Sequence, residues 1–175
     1  KKAALNQIQP LITQASIAQF TMVTLRTTLS ASIESWKRPG APQVPDNVKK
    51  AADELLKKID DAYPTWGTPP AFVNPTGSAG PPLVDLPTPL NQRVTQLAFG
   101  IEGTSAAPTD WEMSQIQILL KRVPEAAGIV RKLAGEDLEA LNKMMREANI
   151  QYISMPAIGG GGGGGRRPPE DEDNR

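Results

Sequence analysis

The sequence predicts an all-α fold: an up-down-up-down four-helix bundle with a long Pro/Gly-rich loop between its two hairpins and a disordered C-terminal tail. Three observations carry that expectation. Apolar residues recur at alternating steps of three and four in four separate segments, which puts them on one stripe of a helix in each. Aromatic residues make up only 5% of the chain, so the core must be built from Leu, Ile, Val and Ala, a composition better suited to helices than to a sheet. Proline and glycine gather between and after those segments.

The first helix is expected from Leu11 to Lys37, with Leu11, Ala15, Ala18, Met22, Leu25, Leu29 and Trp36 on its stripe. Thr21, Thr24, Thr27 and Thr28 lower its intrinsic helicity, so packing must hold it together. Pro10 either lies in its first turn or interrupts an upstream helical piece containing Leu5 and Ile8. Pro39-Gly40 ends it. The second helix begins near Pro45-Asp46, with Asp46 as cap and Val48, Ala52, Leu55, Ile59 and Ala62 inward. Its outer face offers the pairs Lys50/Glu54, Asp53/Lys57 and Glu54/Lys58 at i,i+4. Tyr63-Pro64 closes it, because a residue before proline avoids the helical region.

Residues 64–87 are rich in Pro, Gly, Thr and Ser, and this length is unusual for a connection in a compact domain. The expectation is a partly ordered wrap that tucks in Trp66, Phe72, Leu83 and Val84. A third helix opens at Thr88-Pro89, carries Leu90, Val94, Leu97 and Ile101 inward, and stops at Gly103. Thr109 and Glu112 have capping-box spacing, so a fourth helix starts there with Ile116, Leu120, Val123, Ala127, Val130 and Ala134 inward. Pro124 should kink it. Gly135 marks a break before a last stretch from Asp137 to Ala148, with Leu138, Leu141, Met144 or Met145, and Ala148 inward and Asn149 as a left-handed stop. The short turns after the first and third helices favour antiparallel hairpins, joined by the long loop. The expected division is a bundle over 1–155 and a tail over 156–175, where seven glycines, Gly159 to Gly165, precede a charged end that cannot bury apolar surface.

Composition removes whole classes of chemistry. The chain of 175 residues has no cysteine, which excludes disulfides, thiol nucleophiles and thiolate metal sites. It has no histidine, and so lacks the commonest general base and transition-metal ligand. Lys plus Arg and Asp plus Glu both number 19, a balance that points away from nucleic acid and acidic membrane surfaces. No apolar run approaches the roughly 20 residues that span a bilayer. Residue 1 is Lys with no signal-peptide pattern, and the expectation is a piece of a longer protein.

The remaining candidates read as structural. The carboxylate pairs Asp53-Glu54, Asp60-Asp61 and Glu136-Asp137 could serve a hard cation or acid/base chemistry, but adjacent helical residues diverge by about 100°. With no Glu-x-x-His pair, the usual di-iron bundle site is excluded. The glycine run lacks the strand, the Gly-Lys-Ser/Thr end and the following helix of a phosphate loop. Lys49-Lys50, Lys57-Lys58, Lys121-Arg122 and Arg131-Lys132 alternate with acids and read as solvated faces. Met22, Met113, Met144 and Met145 read as core filler, and Trp36, Trp66 and Trp111 as plugs at the bundle ends. Asn74-Pro75-Thr76 is not a glycosylation site, because proline occupies the middle. No catalytic, cofactor-binding or metal residue is assigned.

The stretch from Leu90 to Ile153 carries a Leu-Asn helix start at 90–91, Ala-Ala-Pro-Thr at 106–109, and Asp-Leu-x-x-Leu-Asn-x-x-x-Arg-Glu-Ala at 137–148. It resembles the C-terminal helical region of bacterial sortilin-like (VPS10-type) β-propeller proteins, whose propellers carry BNR or Asp-box repeats. This chain has no Asp box and no run of short strands, so no catalytic residue follows from the resemblance. What it implies is an exported, extracytoplasmic parent and a helical module that follows the propeller. The expected function is therefore a non-enzymatic accessory or assembly module that contacts the propeller of its parent or another protein subunit. The alternative is a stand-alone bundle that binds a small ligand or metal, which would require inward-facing polar groups beyond the stripes.

Overall fold

The computed structural model describes residues 1–67 and 87–156, and these are helical with no strand among them. Helix α1 spans Lys2–Trp36, α2 Asp46–Ala62, α3 Leu90–Gly103, α4 Asp110–Lys132 and α5 Leu138–Glu147. A 3₁₀ turn, Tyr63–Thr65, follows α2, and a π-helical turn, Leu133–Asp137, joins α4 to α5 without interrupting the helix.

Helix α1 starts nine residues before its expected beginning and runs through Pro10. Its buried positions Ala4, Ile8, Leu11, Ala15, Ala18, Met22, Leu25 and Leu29 alternate in steps of four and three without a fault. That seam extends upstream of Pro10, so packing holds the first turns to the rest. Pro10 lies on the exposed face, where water can meet the carbonyl whose donor is missing. The threonines are accommodated by a local device: Thr21, Thr27 and Thr28 each donate their hydroxyl to the carbonyl four residues back, at 2.8 Å. Thr21 can therefore be buried with its polar group satisfied.

Contacts along α1 give the direction of every other helix. Lys1 Nζ donates to the carbonyls of Glu102 (2.9 Å) and Thr104, whereas Asn91 Nδ2 donates to Gln19 Oε1 at 2.9 Å, so α3 runs antiparallel along the first half of α1. Arg26 Nε meets Asp60 Oδ1 at 2.7 Å, and Lys49 and Asp53 share a cleft with Ile33 and Trp36, so α2 runs antiparallel along the second half. Arg93 reaches Gln115 at 3.1 Å, and α4 runs antiparallel to α3 and parallel to α1. Lys58 then meets Asp137 at 3.6 Å where α2 packs on the π turn and α5.

The helices therefore run up, down, down, up. This corrects the expected up-down-up-down arrangement. Helices α2 and α3 lie in series, and together they form one interrupted strut beside two long, parallel rods, α1 and α4–α5. The physical reason is length. A 35-residue helix is about 50 Å long and carries a seam that neither the 17 residues of α2 nor the 14 of α3 can cover alone. At the waist, where one short helix ends and the other has yet to begin, Trp66 is only 2% exposed and packs with Ala126 and Leu133. It fills the middle of the rod, not an end.

Local details diverge at several termini. Asp46 is the first helical residue behind Pro45 and makes no cap bond; its carboxylate sits at the favourable end of the helix dipole and meets Lys49 Nζ at 3.6 Å. Pro89, not Thr88, occupies the cap position of α3. The Thr109–Glu112 capping box forms in both directions, with Glu112 N–H donating to Thr109 Oγ1 (3.2 Å) and Thr109 N–H donating to Glu112 Oε2 (2.7 Å). Leu119, not Leu120, is buried.

In place of a break at Gly135, the π turn lets Leu133 and Leu138, five residues apart, both face the core. An α-helix would swing the second by about 140° off the stripe, and the wider turn removes that error. The helix ends at Asn149, with φ of 55°; Ile150 N–H donates to Met145 O (2.8 Å) and Asn149 N–H to Arg146 O (3.1 Å), the paired bonds of a Schellman motif. The reading of 68–86 as a wrap with Phe72, Leu83 and Val84 tucked in, and of 157–175 as a tail, lies outside the described residues.

Candidate functional site

The carboxylate pairs diverge, as adjacent helical residues must. Asp60 turns to Arg26, while Asp61 turns to Lys57 at 3.1 Å. Asp137 turns inward to Lys58, while Glu136 is exposed. Among the described residues, no three carboxylates converge on a point that could hold a metal. The pairs Lys50/Glu54, Asp53/Lys57 and Glu54/Lys58 are absent from the ion pairs of the described residues; Lys57 and Lys58 take Asp61 and Asp137 instead. Met22 and Met145 are fully buried, and Met113 and Met144 pack partly buried against the core. Trp111 is 66% exposed, so it plugs nothing.

Among the described residues the two buried polar side chains, Thr21 and Asn142, are both bonded to backbone, while two further buried oxygens, Gln7 Oε1 and Asn91 Oδ1 on separate helices, have no partner. Asn142 Nδ2 donates to Ile153 O and its Oδ1 accepts from Ile153 N–H, each at 2.8 Å. The interior thus offers no convergent set of polar groups to orient a small molecule.

What stands out lies on the outside of α1. Ile17 is 45% exposed, Phe20 55% and Val23 40%, at spacings that put them on one outward face. Ile17 also lines an open apolar groove of about 450 Å³ between the two parallel helices. Pro10, Thr13, Ile17 and Thr21 form its α1 wall, and Ala127 and Arg131 its α4 wall. Among the described residues, α3 and α2 pack elsewhere on the α1–α4 pair and no third helix lines this groove.

The sequence reading missed this face because it followed only the inner stripe. The available signal was charge. From residue 3 to residue 25 the chain has no ionisable side chain, and the first acid on α1 is Glu34. A solvated helix face normally carries charges. Searches among known proteins found no matching family model, no matching curated protein and no matching solved structure. No helix of the described residues is long and apolar enough to cross a membrane.

Proposed function

We propose that this chain is a non-catalytic helical module that acts through protein–protein contacts, and that it forms the C-terminal part of a larger exported β-propeller protein. The observation that carries the assembly half of this reading is the outward apolar face of α1, Ile17, Phe20 and Val23, of which Ile17 also lines the α1–α4 groove. Apolar side chains grouped beside a groove on an otherwise charged protein mark a contact surface. The propeller half rests on the resemblance of residues 90–153 to the helical region that follows sortilin-like propellers, and the extracytoplasmic location rests on the same resemblance. A stand-alone ligand- or metal-binding bundle has less support, because Thr21 and Asn142 are engaged by backbone and no three acidic side chains of the described residues converge.

Cross-linking of the polypeptide from its natural source, with intact mass and N-terminal sequencing, tests both halves. A chain that extends upstream into a strand-rich region, with cross-links from bundle lysines to that region or to another subunit, supports the reading. A polypeptide that begins near Lys1 and forms no protein cross-links sinks it.

A further inference from the structure

The groove between α1 and α4 is specific enough to describe its occupant. Its walls are two parallel helices, and its lining from Pro10 to Thr21 extends about 17 Å along α1, the length of roughly three helical turns. On α4 the lining is Ala127, Val130 and Arg131, and Pro124 and Leu120 continue that side toward the N-terminus at steps of three and four. Two parallel seams flanking a groove are the shape into which a further helix packs in a bundle.

Charge decides what kind of helix. Arg131 lines the groove, and a methyl group placed on Gly128 would lie 4.0 Å from its Nη2, so the guanidinium lies back along α4. Its helical neighbours at three and four residues on either side are Ala127, Gly128, Ala134 and Gly135, none of which can pair with it. Helix α1 supplies no acid before Glu34, and Arg131 is in none of the ion pairs of the described residues. A second copy of this face would bring another arginine and no carboxylate.

We infer that the α1–α4 groove receives one amphipathic helix of about three turns from a partner protein, its apolar face on Pro10, Ile17 and Ala127 and a carboxylate at its edge meeting Arg131. This inference rests on the assembly reading above and names the partner's chemistry. Cross-links that leave the bundle from another face would preserve that reading and remove this one.

The test uses two fluorescein-labelled stapled helical peptides of about fourteen residues with leucines at steps of four and three. They are identical except for Glu or Lys at the position facing Arg131. Anisotropy titration against the whole chain should show saturable binding of the Glu peptide and at least about fivefold weaker binding of the Lys peptide. Arg131→Glu should reverse that preference. Ile17→Asp, at a groove-lining position that is 45% exposed, should weaken the Glu peptide by more than about tenfold while circular dichroism shows the fold kept. No binding of the Glu peptide, equal affinity for both peptides, or indifference to Ile17→Asp overturns the proposal. So does sedimentation showing a dimer that Ile17→Asp dissociates, which would assign the face to a second copy.

Discussion

The carboxamide of Asn142 pairs with both backbone groups of Ile153, donating to its carbonyl and accepting from its N–H, each at 2.8 Å. A helix residue thereby holds an extended segment eleven positions further on, in the manner of one rung of a sheet. Ile150 and Ile153 are buried as a result, and the chain after α5 lies against the bundle up to that point.

Asn142→Ala should therefore cost more than a surface substitution. It leaves a buried N–H and a buried carbonyl without partners, and the loss should be about 2–3 kcal/mol. Urea unfolding measures the loss. Hydrogen exchange should accelerate at Ile150 and Ile153 well before it does so at core amides of α4. Unchanged protection of Ile153 would show that the clamp is not what holds the segment.

The π turn makes a prediction about length. Removing Gly135 brings Leu133 and Leu138 to a spacing of four, which an ordinary α-helix places on one stripe. The deletion should be tolerated within about 1 kcal/mol, because no wide turn is then needed. Removing one residue between Val123 and Ala127 should disrupt the fold, since it turns every following core side chain off its face. Thermal melts of the two deletions followed by circular dichroism would separate them, and equal damage would contradict this account of the turn.

Acid should loosen the outer edge of the same C-terminal segment. Arg146 bonds Glu139 at 2.8 and 3.3 Å and lies 5.1 Å from the centre of the Tyr152 ring. The hydrogen bond from Arg146 holds the Glu139 carboxyl below its ordinary value of 4.5. A group with a depressed folded pKa contributes at pH above its unfolded value and loses that contribution as pH falls through the folded one. Tyr152 ring resonances should therefore shift as the pH drops below the ordinary glutamate range, and Glu139→Gln should abolish that step. A step that survives the substitution would assign it to another group.

Trp66→Ala should destabilise the chain by about 3–5 kcal/mol, because it empties a buried site at the waist. Trp111→Ala, at an exposed position, should change stability by less than about 0.5 kcal/mol. Denaturant melts of the two variants give the comparison, and iodide quenching of each remaining fluorescence reports which indole is buried. A small loss at Trp66 would remove it from the core.

Most of the inner architecture was legible because it depends on spacing. Leu11, Ala15, Ala18, Met22, Leu25 and Leu29 are all buried where a helical stripe puts them, and the Thr109–Glu112 box and the Asn149 stop follow from local chemistry. Helix order in space depends instead on relative length, and a connection of two dozen residues can lead either to a side-by-side or to an end-to-end neighbour. Leu119 and Leu133 were misplaced for a related reason. Steps of three and of four from one buried residue both fall on a helical stripe, so Ile116 points equally to Leu119 or Leu120 and Val130 to Leu133 or Ala134; the structure takes the step of three each time. The outer face was missed because Ile17, Phe20 and Val23 interleave with the core stripe, and apolar residues on both sides of a helix look like a single broad one.

The end-to-end placement of α2 and α3 bears on where this chain tolerates change. Asp60 stands opposite Arg26 and Asn91 opposite Gln19, so the connection leaves and rejoins the rod across seven residues of α1, about 10 Å. Closing so small a gap with a long segment costs entropy that grows only with the logarithm of its length, about 0.6 kcal/mol per doubling. Added length between Gly67 and Pro87 should thus meet little resistance from chain closure. As far as closure is concerned, the waist of the rod is where this scaffold can accept new sequence.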